Sequence, residues 1–214
     1  MKELLQKFNS LLVEKNKVMN LTAHKTFDES WENNILDSLL FTGVIASASE
    51  AISNGPPRVL DLGSGCGCPA IPLKIALPNL DITMIDSVNK KVEFLNDTIK
   101  TLGLENIKAI HTRIEDFPRR GAFDIVTARA VAPLPTLIEY ALPFLKVGGS
   151  LLAFKGSKWQ DEIEASKNAL KILGGEVKEV KVHSESRSLI IIKKTHPTDK
   201  KYPRGKNLPR LKPL

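Results

Sequence analysis

Three glycines at alternate positions, Gly63, Gly65 and Gly67, follow a short apolar run, Val59 to Leu62, which a single acid, Asp61, interrupts. Glycine tolerates positive φ and lets a ligand come close to the backbone. Pro69 suits the first turn of a helix, where a missing N–H costs nothing. Strand, glycine turn and helix start, all within residues 58–69, describe a nucleotide-binding crevice in an α/β sheet. A second apolar run, Ile82 to Ile85, ends in Asp86, 19 residues after Gly67. A carboxylate at that strand tip can accept hydrogen bonds from both hydroxyls of a ribose. The dinucleotide fingerprint, begun at Gly63, would require glycine at position 68, where this chain has Cys68. Arg129 and Lys155 stand at the ends of two later strands, the edge where ligands bind in such sheets. A guanidinium there can hold a carboxylate, a phosphate or a base oxygen, or it can pair with an acid such as Glu139. Lys155 can donate to a base oxygen or a phosphate, or stand solvated, and Arg187 at the start of the last strand is a weaker candidate. Cys66 and Cys68 are too close to staple distant segments, and two thiols with no nearby His cannot fill a zinc site. They are expected to be reduced, as in a cytosolic protein.

The elements that must position these groups follow from hydrophobic period. Leu4, Leu5, Phe8, Leu11 and Leu12 give an amphipathic helix over 2–15, and Met19 to Thr22 reads as a turn. Asp28 or Ser30 can cap a second helix reaching about Ala48. Ser53-Asn54-Gly55-Pro56-Pro57 is a loop. Strands at Val59–Leu62, Ile82–Ile85, Ile107–His111, Phe123–Thr127 and Ser150–Phe154 then alternate with helices at about 70–76, 89–102 and 135–144. Gly148-Gly149 opens the fifth strand, a helix over 160–173 follows, and Glu176–Val182 with Leu189–Ile192 closes the sheet. The fold expected is α/β: seven strands, parallel except for the last, with helices on both faces and an N-terminal helical cap over the ligand end. Three regions result: a helical extension over 1–56, a core over 57–194 and a tail over 195–214.

At 214 residues, 42% hydrophobic and 26% charged, the chain suits one domain with an ample core. The net charge is +7. The tail holds Lys200, Lys201, Arg204, Lys206, Arg210 and Lys212 against Asp199 alone, a net +5. Its four prolines and absent periodicity predict an extended, poorly ordered arm for a polyanion. The charged N-terminus lacks a signal core, and no apolar run is long enough to span a membrane, so a cytoplasmic protein is expected.

The Asp-x-Gly-x-Gly-x-Gly pattern resembles the first motif of S-adenosylmethionine-dependent methyltransferases of the Rossmann type, class I. Adding Asn20-Leu21-Thr22, Ile35-Leu36-Asp37-Ser38, the run Asp61 to Leu73, Asp86-Ser87 with Lys90-Lys91, and Arg129-Ala130, the chain resembles more closely the bacterial 16S ribosomal RNA (guanine-N7) methyltransferase G family, also called glucose-inhibited division protein B. The resemblance covers about residues 15–194. It implies a methyl acceptor at a guanine N7 of small-subunit ribosomal RNA and S-adenosylmethionine as cofactor. It further implies that Gly63, Gly65, Cys68, Asp86, Ser87, Ile114, Glu115 and Arg129 lie at cofactor-contacting positions. Asn34 stands where that family usually has His, Ala70 where glycine is common, and Cys66 and Cys68 where Pro and Leu are frequent.

That reaction needs no base, because guanine N7 offers a free lone pair on the major-groove edge. Catalysis then rests on proximity and orientation, worth up to roughly 7–11 kcal/mol in well-oriented systems. Arg129 and Lys155 are the residues expected to orient the guanine or its phosphate. Arg187 and the six tail cations are the expected RNA contacts, acting on phosphates without reading sequence. Glu115 can meet the adenine edge or a backbone amide. A cytosine-C5 enzyme would carry a thiol, and an adenine-N6 enzyme an Asp/Asn-Pro-Pro-aromatic motif, where this chain has Thr127-Ala128-Arg129. Trp31 and Trp159 are read as packing aromatics. Two competing readings are a small-molecule methyltransferase, disfavoured by the basic tail, and a non-catalytic RNA-binding protein, favoured by Asn34. The expected partner is 16S ribosomal RNA or the small subunit, with no metal and no membrane, and nothing demands more than a monomer.

Overall fold

Alternating apolar strands and amphipathic helices build one seven-stranded sheet in a computed structural model that describes residues 1–40, 42–50 and 55–214. The N-terminal helices are α1 (Lys2–Met19), α2 (Phe27–Ser30), a π-helical turn (Trp31–Leu36), α3 (Asp37–Leu39) and α4 (Thr42–Glu50). Then come β1 (Arg58–Leu62), α5 (Ala70–Ala76), β2 (Asp81–Asp86), α6 (Asn89–Leu102), β3 (Ile107–His111) and β4 (Phe123–Arg129). The chain continues through α7 (Leu134–Ala141), a 3-10 turn, β5 (Leu145–Lys155), α8 (Trp159–Ala165) and α9 (Lys167–Leu173). It closes with β6 (Gly175–Ser184), β7 (Arg187–Lys194) and α10 (Leu208–Leu211).

The strand order is β3-β2-β1-β4-β5-β7-β6, and only β7 runs against its neighbours. The order reverses between β1 and β4, where such sheets open a crevice at their carboxyl edge. Register fixes that edge: Leu62 pairs with Ile85 on one side and Ala128 on the other, and Arg129 pairs with Phe154. Asp86, Arg129 and Lys155 therefore end up along one rim. On one face Leu5, Phe8 and Leu12 of α1 join Ile71 of α5 and Phe94 and Leu95 of α6 over the sheet. On the other, Leu137, Ile138, Leu170 and Leu173 cover Leu60, Val126, Leu151 and Ile190. Among the described residues no helix is long and apolar enough to cross a membrane.

The structure departs from the sequence reading in five places. Helix α1 continues to Met19, because no breaker precedes Asn20, which caps it in the left-handed conformation at φ 50°. The second helix is broken by the π turn at Trp31–Leu36, a feature that often marks functional sites. Strand β5 begins at Leu145, so Gly148-Gly149 lies inside it. A Cβ on Gly149 would come 2.8 Å from the Asp124 carbonyl oxygen, at the register shift between Phe123 and Ile125. The helix read over 160–173 divides at Ser166, whose hydroxyl donates to the Glu162 carbonyl at 2.6 Å and diverts the backbone. Of the loop read at Ser53–Pro57, Ser53 and Asn54 lie outside the described residues.

The fifth difference is the largest. The tail, expected to be extended and poorly ordered, folds back onto α7 and the loop at Arg120, with Tyr202, Pro203 and Pro209 buried. Arg204 donates from its backbone N–H (2.9 Å) and Nε (2.8 Å) to Glu139 Oε1, and from its terminal nitrogen to Oε2 at 2.6 Å. Arg120 donates to the Tyr202 carbonyl, and Thr136 Oγ1 to the Pro209 carbonyl at 3.0 Å. A carboxylate as buried as that of Glu139 requires a charged partner, and the tail supplies it.

Candidate functional site

The glycine turn closes on Asp86. The Ser64 N–H donates to the Ile85 carbonyl at 3.1 Å, and the Gly65 N–H donates to Asp86 Oδ2 at 2.8 Å. The Val88 N–H holds Oδ1 at 2.9 Å. Each carboxylate oxygen has two lone pairs, so one on each remains for a ligand diol. Gly63, at φ 61°, faces Val131: a Cβ there would lie 3.1 Å from Val131 Cγ2. Gly67, at φ 90°, has no room at all, since a Cβ would lie 2.7 Å from Ile71 Cδ1 and 2.9 Å from Leu95 Cδ2.

Three cavities follow one another along the carboxyl rim. The first, about 390 Å³, is lined by Gly63, Asp86, Ser87, Val88, Ile114, Glu115 and Tyr140, and by Asn207 and Arg210 from the tail. The second, about 400 Å³, is lined by Thr22, His24, Asn34, Gly63, Gly65, Cys66, Cys68, Lys91 and Arg129. The third, about 370 Å³, is lined by His24, Asn33, Asp37, Arg129, Phe154, Lys155 and Arg187. The first and second share Gly63, Lys91 and Ala130; the second and third share His24, Asn33, Arg129 and Ala130. Each cavity falls in the size range of small-ligand sites.

Arg129 stands at the junction of the second and third. Its guanidinium donates to the Asn33 carbonyl at 3.0 Å, to Asp37 Oδ2 at 3.1 Å and to Asn34 Oδ1 at 2.9 Å. Its acid is therefore Asp37 rather than Glu139, which Arg204 occupies. Burial pulls its pKa down, and the Cys68 and Cys66 sulfurs with Asp37 outweigh that and hold it up. Asp37 bridges two arginines: its Oδ1 lies 2.8 Å from Arg187 Nε, and Arg187 also donates to Asn33 Oδ1 at 2.5 Å. The π turn carries Asn33 and Asn34 to this cluster. Buried Asn34 also donates to Thr22 Oγ1 at 3.2 Å and Ser30 Oγ at 3.1 Å, so its amide is fully used in positioning Arg129.

Lys155, read as a free donor, has two internal acceptors: the Ala132 carbonyl at 2.8 Å and Glu162 Oε2 at 2.6 Å. One of its three N–H bonds remains for the third cavity. Glu115 lines the first cavity with its side chain 5% exposed and pairs with Arg113 at 3.3 Å. Of the expected RNA contacts, Arg204 and Arg210 are held by the protein, Arg210 on the Val131 carbonyl at 2.9 Å, while Lys200, Lys201, Lys206 and Lys212 are exposed. Cys66 and Cys68 are both free thiols and both buried. The hydrogen bond from Cys68, then the Arg129 charge, pull Cys66 down against burial, whereas burial first and Cys66 second push Cys68 up. Trp31 stacks on Phe27 with ring centroids 6.1 Å apart, and Trp159 packs against the core.

Sequence reasoning assigned no role to Asp37, Asn33, His24, Tyr140, Asn207 or Asn16. Asp37 lies in a quoted motif. Asn16 fastens the loop of the second cavity, accepting from the Leu21 and Thr22 N–H groups (2.6 and 3.0 Å) and donating to the Thr22 and His24 carbonyls (2.9 and 3.1 Å).

A protein-family model described as rRNA small subunit methyltransferase G matches residues 1–191. A ribosomal RNA small subunit methyltransferase G of Streptococcus pyogenes serotype M12 is 43% identical over 224 aligned positions, covering 100% of this chain and 91% of its own length. Among solved structures, a SAM-dependent methyltransferase from Aquifex aeolicus superposes with a TM-score of 0.57 at 17% identity, covering 74% of this chain and 92% of its own. M. jannaschii TYW2 in complex with AdoMet gives a TM-score of 0.53 at 19% identity, covering 71% and 74%. At those identities the solved structures attest the fold.

Proposed function

The chain belongs to the rRNA small subunit methyltransferase G family, and from that premise we propose how its rim works. It is an rRNA methyltransferase of the small subunit, and its cofactor is S-adenosylmethionine. The finer reading is that the acceptor is N7 of one guanine in 16S ribosomal RNA, with the cofactor in the first two cavities and the guanine in the third. The observation that carries this reading is the Asp86 carboxylate. It is fixed by two backbone amides, retains a lone pair on each oxygen, and opens a row of cavities that ends at Arg129, Lys155 and Arg187. When bound, S-adenosylmethionine supplies an electrophilic methyl group on a sulfonium.

The chain's own residues bind and orient. Asp86 accepts from the ribose hydroxyls. Ile114 packs against the adenine, and Glu115 faces its edge. Gly63 and Gly65 let the ligand lie against backbone, with Cys68 and Ser87 completing the walls. Arg129, fixed by Asn33, Asn34 and Asp37, holds the junction of the two ligands at one distance. Lys155 and Arg187 present donors to the third cavity, where guanine O6 and a phosphate are the matching acceptors. No residue has to remove a proton, because N7 already offers a lone pair. Lys200, Lys201, Lys206 and Lys212 add electrostatic attraction to the RNA backbone. The enzyme acts as a monomer in the cytoplasm on ribosomal RNA or the small subunit.

The test pairs binding with turnover. Asp86→Ala should lose cofactor affinity by about tenfold or more, the worth of a charge-assisted hydrogen bond. Arg187→Ala should bind S-adenosylhomocysteine normally and raise KM for the RNA. Wild-type cofactor affinity in Asp86→Ala would refute the ribose assignment.

A further inference from the structure

The first cavity is not closed by the methyltransferase core alone. Two of its walls, Asn207 and Arg210, come from the last residues of the chain. Their placement is held by contacts made elsewhere. Arg204 locks the tail to Glu139, whose side chain is wholly buried on α7, and Tyr140, the next residue, lines the same cavity. Arg210 donates to the carbonyl of Val131, the residue packed on Gly63 of the glycine turn. The tail is thus braced against both the helix and the turn that shape the nucleoside end of the site.

We propose that the tail is a binding element of the cofactor site, with Arg210 and Asn207 contacting the adenine of S-adenosylmethionine. The inference rests on the cofactor reading above. The carboxylates of this cavity, Asp86 and Glu115, match hydroxyl and amino groups, and Ile114 covers one face of the ring, so that among the side chains of the lining the tail's Arg210 and Asn207 are well suited to the other face and the acceptor nitrogens. A planar guanidinium stacks on such a ring or donates to its nitrogens, and a carboxamide donates and accepts at a base edge. The arrangement also links the two events. A ligand that touches the docked tail stabilises docking, and a docked tail strengthens the ligand by the same factor.

The experiment is calorimetric titration of the full chain, without RNA, using S-adenosylhomocysteine and adenosine as separate probes. Arg210→Ala should weaken both by the same factor, about two- to fivefold for a guanidinium–ring contact at an exposed site. Asn207→Ala should weaken both by less. The ligand-free thermal midpoint of Arg210→Ala should fall only slightly, since the Arg210 side chain is exposed and gives up one hydrogen bond to Val131, whereas Asn207→Ala, at a half-buried position with φ 58°, should lose some stability with or without ligand. Should Arg210→Ala fold poorly, Asn207→Ala and Arg210→Lys carry the same comparison. Wild-type affinity for both probes in the double variant Arg210→Ala/Asn207→Ala, with binding lost in Asp86→Ala, would overturn the role of the tail and leave the cofactor reading intact. Failure of the wild-type chain to bind S-adenosylhomocysteine would overturn both.

Discussion

Asp61 is an acid in the middle of a buried strand, and its titration should be visible in the stability of the whole protein. Its Oδ1 accepts from Thr127 Oγ1 at 2.7 Å, whereas Oδ2 has no hydrogen-bond partner among the described residues. Burial, offset in part by Ser64, Thr127 and Arg129, raises its pKa from 3.8 to about 6. Below pH 3.8 both folded and unfolded chains carry the proton. Between there and about pH 6 the folded chain keeps a proton that the unfolded chain releases, so stability falls as pH rises. Each pH unit of that window is worth 1.36 kcal/mol, which gives a total penalty of about 3 kcal/mol at neutral pH. Asp61→Asn keeps the acceptor for Thr127 and cannot titrate. The measurement is urea denaturation of both proteins at intervals from pH 4 to 8. Groups that do not interact with Asp61 cancel in the difference, and a shared Cys66→Ala background removes the neighbouring thiol, which does interact and is pulled down to about 6. The stability of Asp61→Asn relative to wild type should rise by about 2.4 kcal/mol between pH 4 and 7, then level off. A constant offset across the series, or a difference that shrinks with pH, would refute the reasoning.

Two further outcomes follow from the same geometry. Gly67→Ala must seat a Cβ against Ile71 and Leu95 at positive φ, and should cost roughly 2–4 kcal/mol in a denaturant titration; an unchanged midpoint would show that the turn yields. Replacing Lys200, Lys206 and Lys212 together by Ala should flatten the slope of log affinity for RNA against log salt by about 2, while S-adenosylhomocysteine binding stays unchanged. An unaltered slope would remove the exposed tail lysines from the RNA interface.

What could be read beforehand was local. The glycine spacing, the acid at Asp86 and the alternation of apolar runs are short-range patterns, and the sheet follows them, including the single antiparallel strand. What could not be read depends on pairs far apart in the chain. Arg129 finds Asp37 across 92 residues, and Arg204 finds Glu139 across 65. Neither pairing leaves a period in the sequence. The tail reads as a solvated arm because prolines and cations have no amphipathic rhythm, yet it is docked by buried Tyr202, Pro203 and Pro209, one buried ion pair and hydrogen bonds to its carbonyls. The π turn is hidden for a related reason: nothing in the period of Trp31–Leu36 separates it from an α-helix, and the turn accompanies the tertiary bonds of Asn33 and Asn34. Asn34 itself, in the position where His was expected, serves the cluster through its amide.

The central claim is methyl transfer to N7 of a small-subunit guanine. The direct measurement is incubation with methyl-labelled S-adenosylmethionine and unmethylated small ribosomal subunits, followed by borohydride–aniline cleavage to map 7-methylguanosine. The account predicts label at a single guanine and chain scission at that nucleotide. Label at a position that resists this cleavage, or no label from a protein that still binds S-adenosylhomocysteine, would contradict it.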